Sequence, residues 1–165
     1  MNPELKNRLL DLQTLCDSFD SEAGDAAKDS LRQLVREDLC WFVVYLSMAD
    51  DVIASNEVDF VNAYFDTSYT QKDFLEWSRD GALFDLETVN SVPASVIRFV
   101  QTDNRFFGEN AIVTDYTSTL IGLFKDLGME LICCDKELEM QELTKYNDYI
   151  GMLEAYAATA LRQNS

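Results

Sequence analysis

Apolar residues return every three or four positions along most of this chain, and little interrupts them. Its 165 residues include two prolines and six glycines, the residues that punctuate strands and turns. Leu5, Leu9, Leu12, Cys16 and Phe19 make one helical stripe, and Leu31, Val35, Leu39, Phe42 and Leu46 make a second. Val58, Val61 and Phe65, then Ile97 and Val100, continue the pattern. So do Tyr116, Leu120, Leu123, Leu127 and Leu131, and finally Leu143, Tyr146, Ile150, Leu153 and Ala157. The spacing predicts an all-α single domain over residues 1–165, with about seven helices and no strand.

Local signals set the expected boundaries. Ser18 to Asp25, with Gly24, is expected to be the first loop. The second helix is expected over about Ala26 to Ala49; around Trp41 to Leu46 it is apolar on all sides, as a central buried helix must be. Ser55 is a candidate N-cap for a helix to about Phe65. Thr70-Gln71-Lys72-Asp73 has the form of a capping box, opening a helix to about Arg79. Pro93 suits the first turn of the next helix, and Gly108 marks a loop after it. A long helix follows over about Ala111 to Cys134, in which Gly122 and Gly128 mark close helix contacts. The last is expected over about Met140 to Leu161.

Charge and composition then limit function. Thirty acidic residues against thirteen basic ones give a formal charge of −17, and there is no histidine. Ser-His-Asp, Cys-His and His-metal chemistry therefore drop out. A field this negative repels phosphate backbones and anionic membrane surfaces, so no nucleic-acid partner and no membrane insertion are expected. The start of the chain, Met1 to Lys6, lacks a basic segment followed by an apolar one, and the longest apolar run, Cys40 to Leu46, is too short to span a bilayer. Cys16, Cys40, Cys133 and Cys134 form no Cys-x-x-Cys and are expected to be reduced thiols in a core. A cytoplasmic location follows from these signs.

The chain also matches itself at an offset of 85 residues. Asp50 falls on Asp135, Glu57 on Glu142, Asn62 on Asn147 and Tyr64 on Tyr149. In each copy an Asp ends one helix and a Glu opens the next, with an apolar residue between them, Ile53 or Leu138. The repeat halves, roughly residues 31–66 and 116–161, suggest two helical hairpins about a pseudo-two-fold axis. Two readings of Asp50, Glu57, Asp135 and Glu142 stand. In one, each Asp accepts loop N–H bonds and each Glu complements its helix dipole. In the other, the carboxylates are metal ligands for Ca²⁺ or Mg²⁺. An EF-hand is excluded, because the twelfth positions, Val61 and Tyr146, lack the required Glu.

Met48-Ala49-Asp50-Asp51-Val52-Ile53 with Glu57, and Cys133-Cys134-Asp135-Lys136-Glu137-Leu138 with Glu142, resemble the recurring Ala-Asp-Gly…Glu motif of the TerB-like family. That family is named after a tellurite-resistance protein. Asp51 and Lys136 stand where the family has Gly. The resemblance covers about Leu31 to Tyr64 and Tyr116 to Leu161. It implies an all-helical, internally pseudo-symmetric bundle, with metal-linked stress modules and membrane-associated scaffolds among the family's members. Similar segments beside AAA-type ATPase domains imply an adaptor role.

The expected function is a non-catalytic protein-interaction or adaptor module whose partner is basic or an AAA-type ATPase. A divalent-cation-binding stress module is the alternative, and a metal-dependent hydrolase using paired carboxylates is a third. No Gly-rich phosphate loop is present. Two features suit a docking face: the acidic surface, and Asn104-Arg105-Phe106-Phe107-Gly108, which looks like an exposed loop with two aromatics. The mid-chain aromatics Tyr45, Tyr64, Phe65, Tyr69, Phe74, Trp77 and Phe84 are expected to pack between helices.

Overall fold

A computed structural model of the chain describes residues 2–23, 30–49, 53–80, 91–110, 112–134 and 140–161. Among them are seven α-helices and no strand. They are α1 (Pro3–Ala23), α2 (Leu31–Ser47), α3 (Ser55–Phe65), α4 (Gln71–Asp80), α5 (Ala94–Asn110), α6 (Tyr116–Cys134) and α7 (Met140–Ala160). The all-α class inferred from the spacing is the class observed. No helix is long and apolar enough to cross a membrane among the described residues.

Four boundary expectations differ from the structure, and one falls outside the described residues. The loop expected at Ser18 is helix as far as Ala23, the end of α1. Ser18 and Ser21 return their hydroxyls to the carbonyls of Thr14 and Asp17, so polar side chains are accommodated without a break. Phe19 holds this turn inward, with its ring centroid 5.2 Å from Tyr116 and 6.4 Å from Phe99. The second helix is described from Leu31; the part expected from Ala26 falls outside the described residues. Gly108 lies inside α5, and α6 starts at Tyr116 rather than Ala111. Ser55 is the first residue of α3, and the N-cap is Ala54.

Helix α2 is the centre of the bundle, in contact with α1, α3, α5, α6 and α7. Val35, Leu39, Phe42, Val43, Val44 and Leu46 are each no more than 1% exposed, matching the all-round apolar run. Burying a side chain such as Phe42 contributes about 2–3 kcal/mol. Its ring meets Phe124 at 5.3 Å and Tyr149 at 4.7 Å, which ties α2 to α6 and α7. Gly128 lets these helices close up: a Cβ there would lie 2.7 Å from Tyr146 Cδ2 and 3.0 Å from Phe42 Cε1. At Gly122 the nearest atom, Arg8 Nη2, is at an ordinary 3.5 Å, so only one of the two glycines marks a close contact.

Some helix ends are capped locally. Ser30 accepts from Gln33 N–H, and Thr70 and Asp73 form the expected reciprocal box, with Thr70 N–H donating to Asp73 Oδ2 at 2.7 Å. That bond from Thr70 holds the Asp73 carboxyl below its usual range. Others are capped across the bundle. Asp38 on α2 accepts the Ser95 N–H at 2.8 Å in the first turn of α5. Burial pushes the Asp38 carboxyl up, and its bonds to Ser95 only partly offset this. Asp20 on α1 accepts from Ser30 Oγ at 2.8 Å and Leu31 N–H at 2.9 Å, and these bonds outweigh desolvation and lower its pKa. The C-terminus of α3 is met by two cations. Lys6 Nζ donates to Tyr64 O at 2.6 Å and Ala63 O at 3.1 Å, and the Arg36 guanidinium donates to Phe65 O. The chain then turns through Asp66 at φ 51°, a left-handed conformation that Asp tolerates.

Candidate functional site

The repeated motif can be followed at its Glu positions. Glu57 and Glu142 are each the third residue of a helix, α3 and α7, and both are buried. Glu57 Oε2 accepts the N-cap N–H of Ala54 at 2.7 Å, one arm of a capping box. A carboxylate at this position meets both the free amides of the first turn and the positive end of the helix dipole. Asp50 and Asp135 lie outside the described residues.

The two motifs lie at the same end of the molecule. Asn56, in the first turn of α3, places Nδ2 3.7 Å from Cys134 Sγ at the end of α6. Lys145, in the second turn of α7, donates from Nζ to Met48 O at 3.2 Å, at the end of α2. Its ammonium also stands 5.0 Å from the Tyr45 ring centroid. The C-termini of α2 and α6, both carrying partial negative charge, therefore come together beside Glu57 and Glu142. No group of three His, Cys, Asp or Glu converges as a metal cluster among the described residues.

A second feature lies on the outer face of α2. An open groove of about 460 Å³ runs along it, bounded by Ser30, Arg32, Gln33, Arg36 and Glu37, with Cys40, Trp41, Phe65, Thr67 and Tyr69 completing the lining. Its aromatic wall is held by edge contacts: Trp77 on α4 stands 5.3 Å from Trp41 and 4.9 Å from Tyr69. Arg32 pairs with Asp17 at 2.6 Å, and each of these side chains is 49% exposed. Two arginines beside the partly exposed Trp41 and Tyr69, over the buried Phe65, form an unusual surface on a chain of charge −17. The sequence gives only a weak sign of it. Arg32, Arg36 and Cys40 share a helix face, but Phe65 and Tyr69 reach the groove through the tertiary fold.

The aromatic patch expected in residues 104–108 is only half present, and it is helical rather than a loop. Phe106 turns inward, 6.3 Å from Phe19 and 6.2 Å from Tyr116. Phe107 is exposed. Tyr64, Phe65 and Phe74 are core residues, as expected, while Phe84 falls outside the described residues.

The thiols divide into two pairs. Cys16 and Cys40 are buried, and burial pushes each thiol up to about 12. Cys133 and Cys134 are exposed at the end of α6, correcting the expectation of core thiols for this pair. Labelling the native protein with a water-soluble thiol reagent at neutral pH should modify Cys133 and Cys134 and spare Cys16 and Cys40. Peptide mass mapping before and after denaturation checks this.

Compared with family models, with curated proteins and with solved structures, the chain finds no match.

Proposed function

We propose that this chain is a non-catalytic protein-interaction or adaptor module of the TerB-like type, working in the cytoplasm. The observation that carries the reading is the open α2 groove, where the partly exposed Trp41 and Tyr69 stand beside Arg32 and Arg36. Aromatic side chains and Arg are the types that dominate binding energy at protein interfaces. The pairing of helices supports the hairpin-repeat part of the reading. Helix α2 touches α6, and each also touches the helix that leaves the other: α2 meets α7, and α6 meets α3. The partner types expected from the sequence are a basic protein and an AAA-type ATPase; a basic partner suits the acidic surface of a chain of charge −17, whereas Arg32 and Arg36 suit the groove to an acidic or apolar segment.

The test uses Gln33, an exposed residue on the groove rim. Gln33→Trp fills the groove without touching the core. Affinity capture from an extract should enrich a defined partner on the wild-type chain and lose it at least about tenfold on the variant. No partner, or equal capture by both chains, counts against the reading.

The convergence of the two loop ends favours a second reading, a divalent-cation site built from Asp50, Glu57, Asp135 and Glu142. Hard cations prefer carboxylate oxygens, which all four of these side chains supply. Added Ca²⁺ or Mg²⁺ should then raise the melting temperature of the wild type but not of Asp135→Asn. Equal shifts in both, or none, would sink it.

A further inference from the structure

The end of α5 and the segment leading into α6 carry three exposed apolar side chains. Phe107 is 45% exposed, Ile112 52% and Val113 81%. Residues 112–115 are non-helical, yet the end of this turn is firmly held. Asp103, 4% exposed, accepts from Thr117 N–H at 2.9 Å, Thr117 Oγ1 at 2.6 Å and Tyr116 N–H at 3.3 Å, and also from Thr114 Oγ1. The clamp begins one residue after Val113. It anchors the segment that presents Ile112 and Val113 outward, which lowers the ordering cost of binding there.

The charged side chains next to these residues in sequence are acidic apart from Arg105. Glu109 and Asp115 are exposed on either side of Ile112 and Val113. The last turn of α5 contains no basic residue, so the negative end of its dipole is reinforced rather than neutralised there. The nearby Arg105 lies over the Phe106 ring, 5.4 Å from its centroid. Exposed apolar side chains set among carboxylates, on a chain of charge −17, match a segment with an apolar face and basic flanks.

We propose that the α5–α6 turn docks a basic amphipathic helix of a partner protein, with Phe107, Ile112 and Val113 as the apolar contact and Glu109 and Asp115 as its charged flanks. This role rests on the interaction-module reading but uses a face other than the α2 groove. The probe is a fluorescent synthetic Leu/Lys amphipathic peptide, with a Leu/Glu peptide of the same pattern as control. Anisotropy titration should show binding of the Leu/Lys peptide alone. The double variant Ile112→Ser/Val113→Ser should weaken it about tenfold. Glu109→Lys should weaken it about threefold and flatten its salt dependence. Gln33→Trp should bind the peptide like the wild type, so failure at the turn is separable from failure of the groove. Equal binding to wild type and the double variant would mean diffuse attraction to an acidic surface and would overturn the proposal. So would absence of binding. Concentration-dependent dimerisation in sedimentation, lost in the double variant, would instead assign the surface to a second copy of this chain and overturn it as well.

Discussion

Replacing Asp103 with alanine should destabilise the fold by about 3 kcal/mol, the scale for removing a buried carboxylate that satisfies several donors. The side chain is 4% exposed, and its two oxygens accept from both the backbone and the hydroxyl of Thr117, from Tyr116 N–H and from Thr114 Oγ1. These donors include amides of the first turn of α6, which have no partner within their own helix. Alanine would leave them facing apolar surroundings. For a chain of this size, about 3 kcal/mol corresponds to a fall in melting temperature of about 6–12 °C. Asn keeps one acceptor oxygen, so Asp103→Asn should fall between wild type and alanine. Thermal denaturation followed by circular dichroism checks the order. Amide exchange should show where the loss begins, with Tyr116 and Thr117 losing protection first. A melting temperature unchanged in the alanine variant would show that the clamp adds nothing to stability.

The same conservative change at two glycines should have opposite signs. Gly128→Ala puts a Cβ 2.7 Å and 2.8 Å from two carbons of the Tyr146 ring and 3.0 Å from Phe42. Phe42 is 1% exposed and already held by Phe124 and Tyr149, so it has nowhere to retreat. Overpacking of this kind costs about 1–3 kcal/mol, against a gain of about 1 kcal/mol in helix propensity. The net expectation is a loss of up to about 2 kcal/mol, while Gly128→Leu should separate α6 from α7 and α2 and unfold the chain. Gly151, exposed in α7, has nothing within 4 Å of its would-be Cβ. Gly151→Ala should therefore stabilise by up to about 1 kcal/mol. Urea denaturation of the two alanine variants checks both signs. A stabilised Gly128→Ala would mean that α6 is less tightly seated than its neighbours imply.

The capping features show what was legible. Thr70 and Asp73 lie within one helical turn of each other, so their pairing could be read from the letters alone. Glu57 was legible as an acid in the first turn of α3, but not as the partner of the Ala54 N–H, because the cap was expected at Ser55. Asp38 serving Ser95 and Asp103 serving Thr117 could not be assigned, because each joins residues from different helices. A sign of Asp103 was present nonetheless: it continues the buried stripe of Val96, Phe99 and Val100, where a carboxylate needs internal donors. Gly108 was misleading because glycine is tolerated inside a helix as well as in a turn, and packing by Phe106 on its partners carries α5 through it.

Local periodicity by itself determined the all-α class, the stripes of six of the helices and the central place of α2. These follow from a 3.6-residue repeat that must bury one face, or around Trp41 to Leu46 of α2 nearly all faces. The charge of −17 and the absence of histidine were equally plain and narrowed the chemistry. Tertiary structure decided how the charges are used. It gave Lys6 and Arg36 to the end of α3, and Asp38 and Asp103 to helix starts. It also brought the two motif-bearing ends together, assembled the α2 groove and left Phe107, Ile112 and Val113 uncovered. Helix ends are partnered, and surfaces exposed, by whichever elements lie nearby in space, and that depends on how the stripes pack rather than on their spacing along the chain.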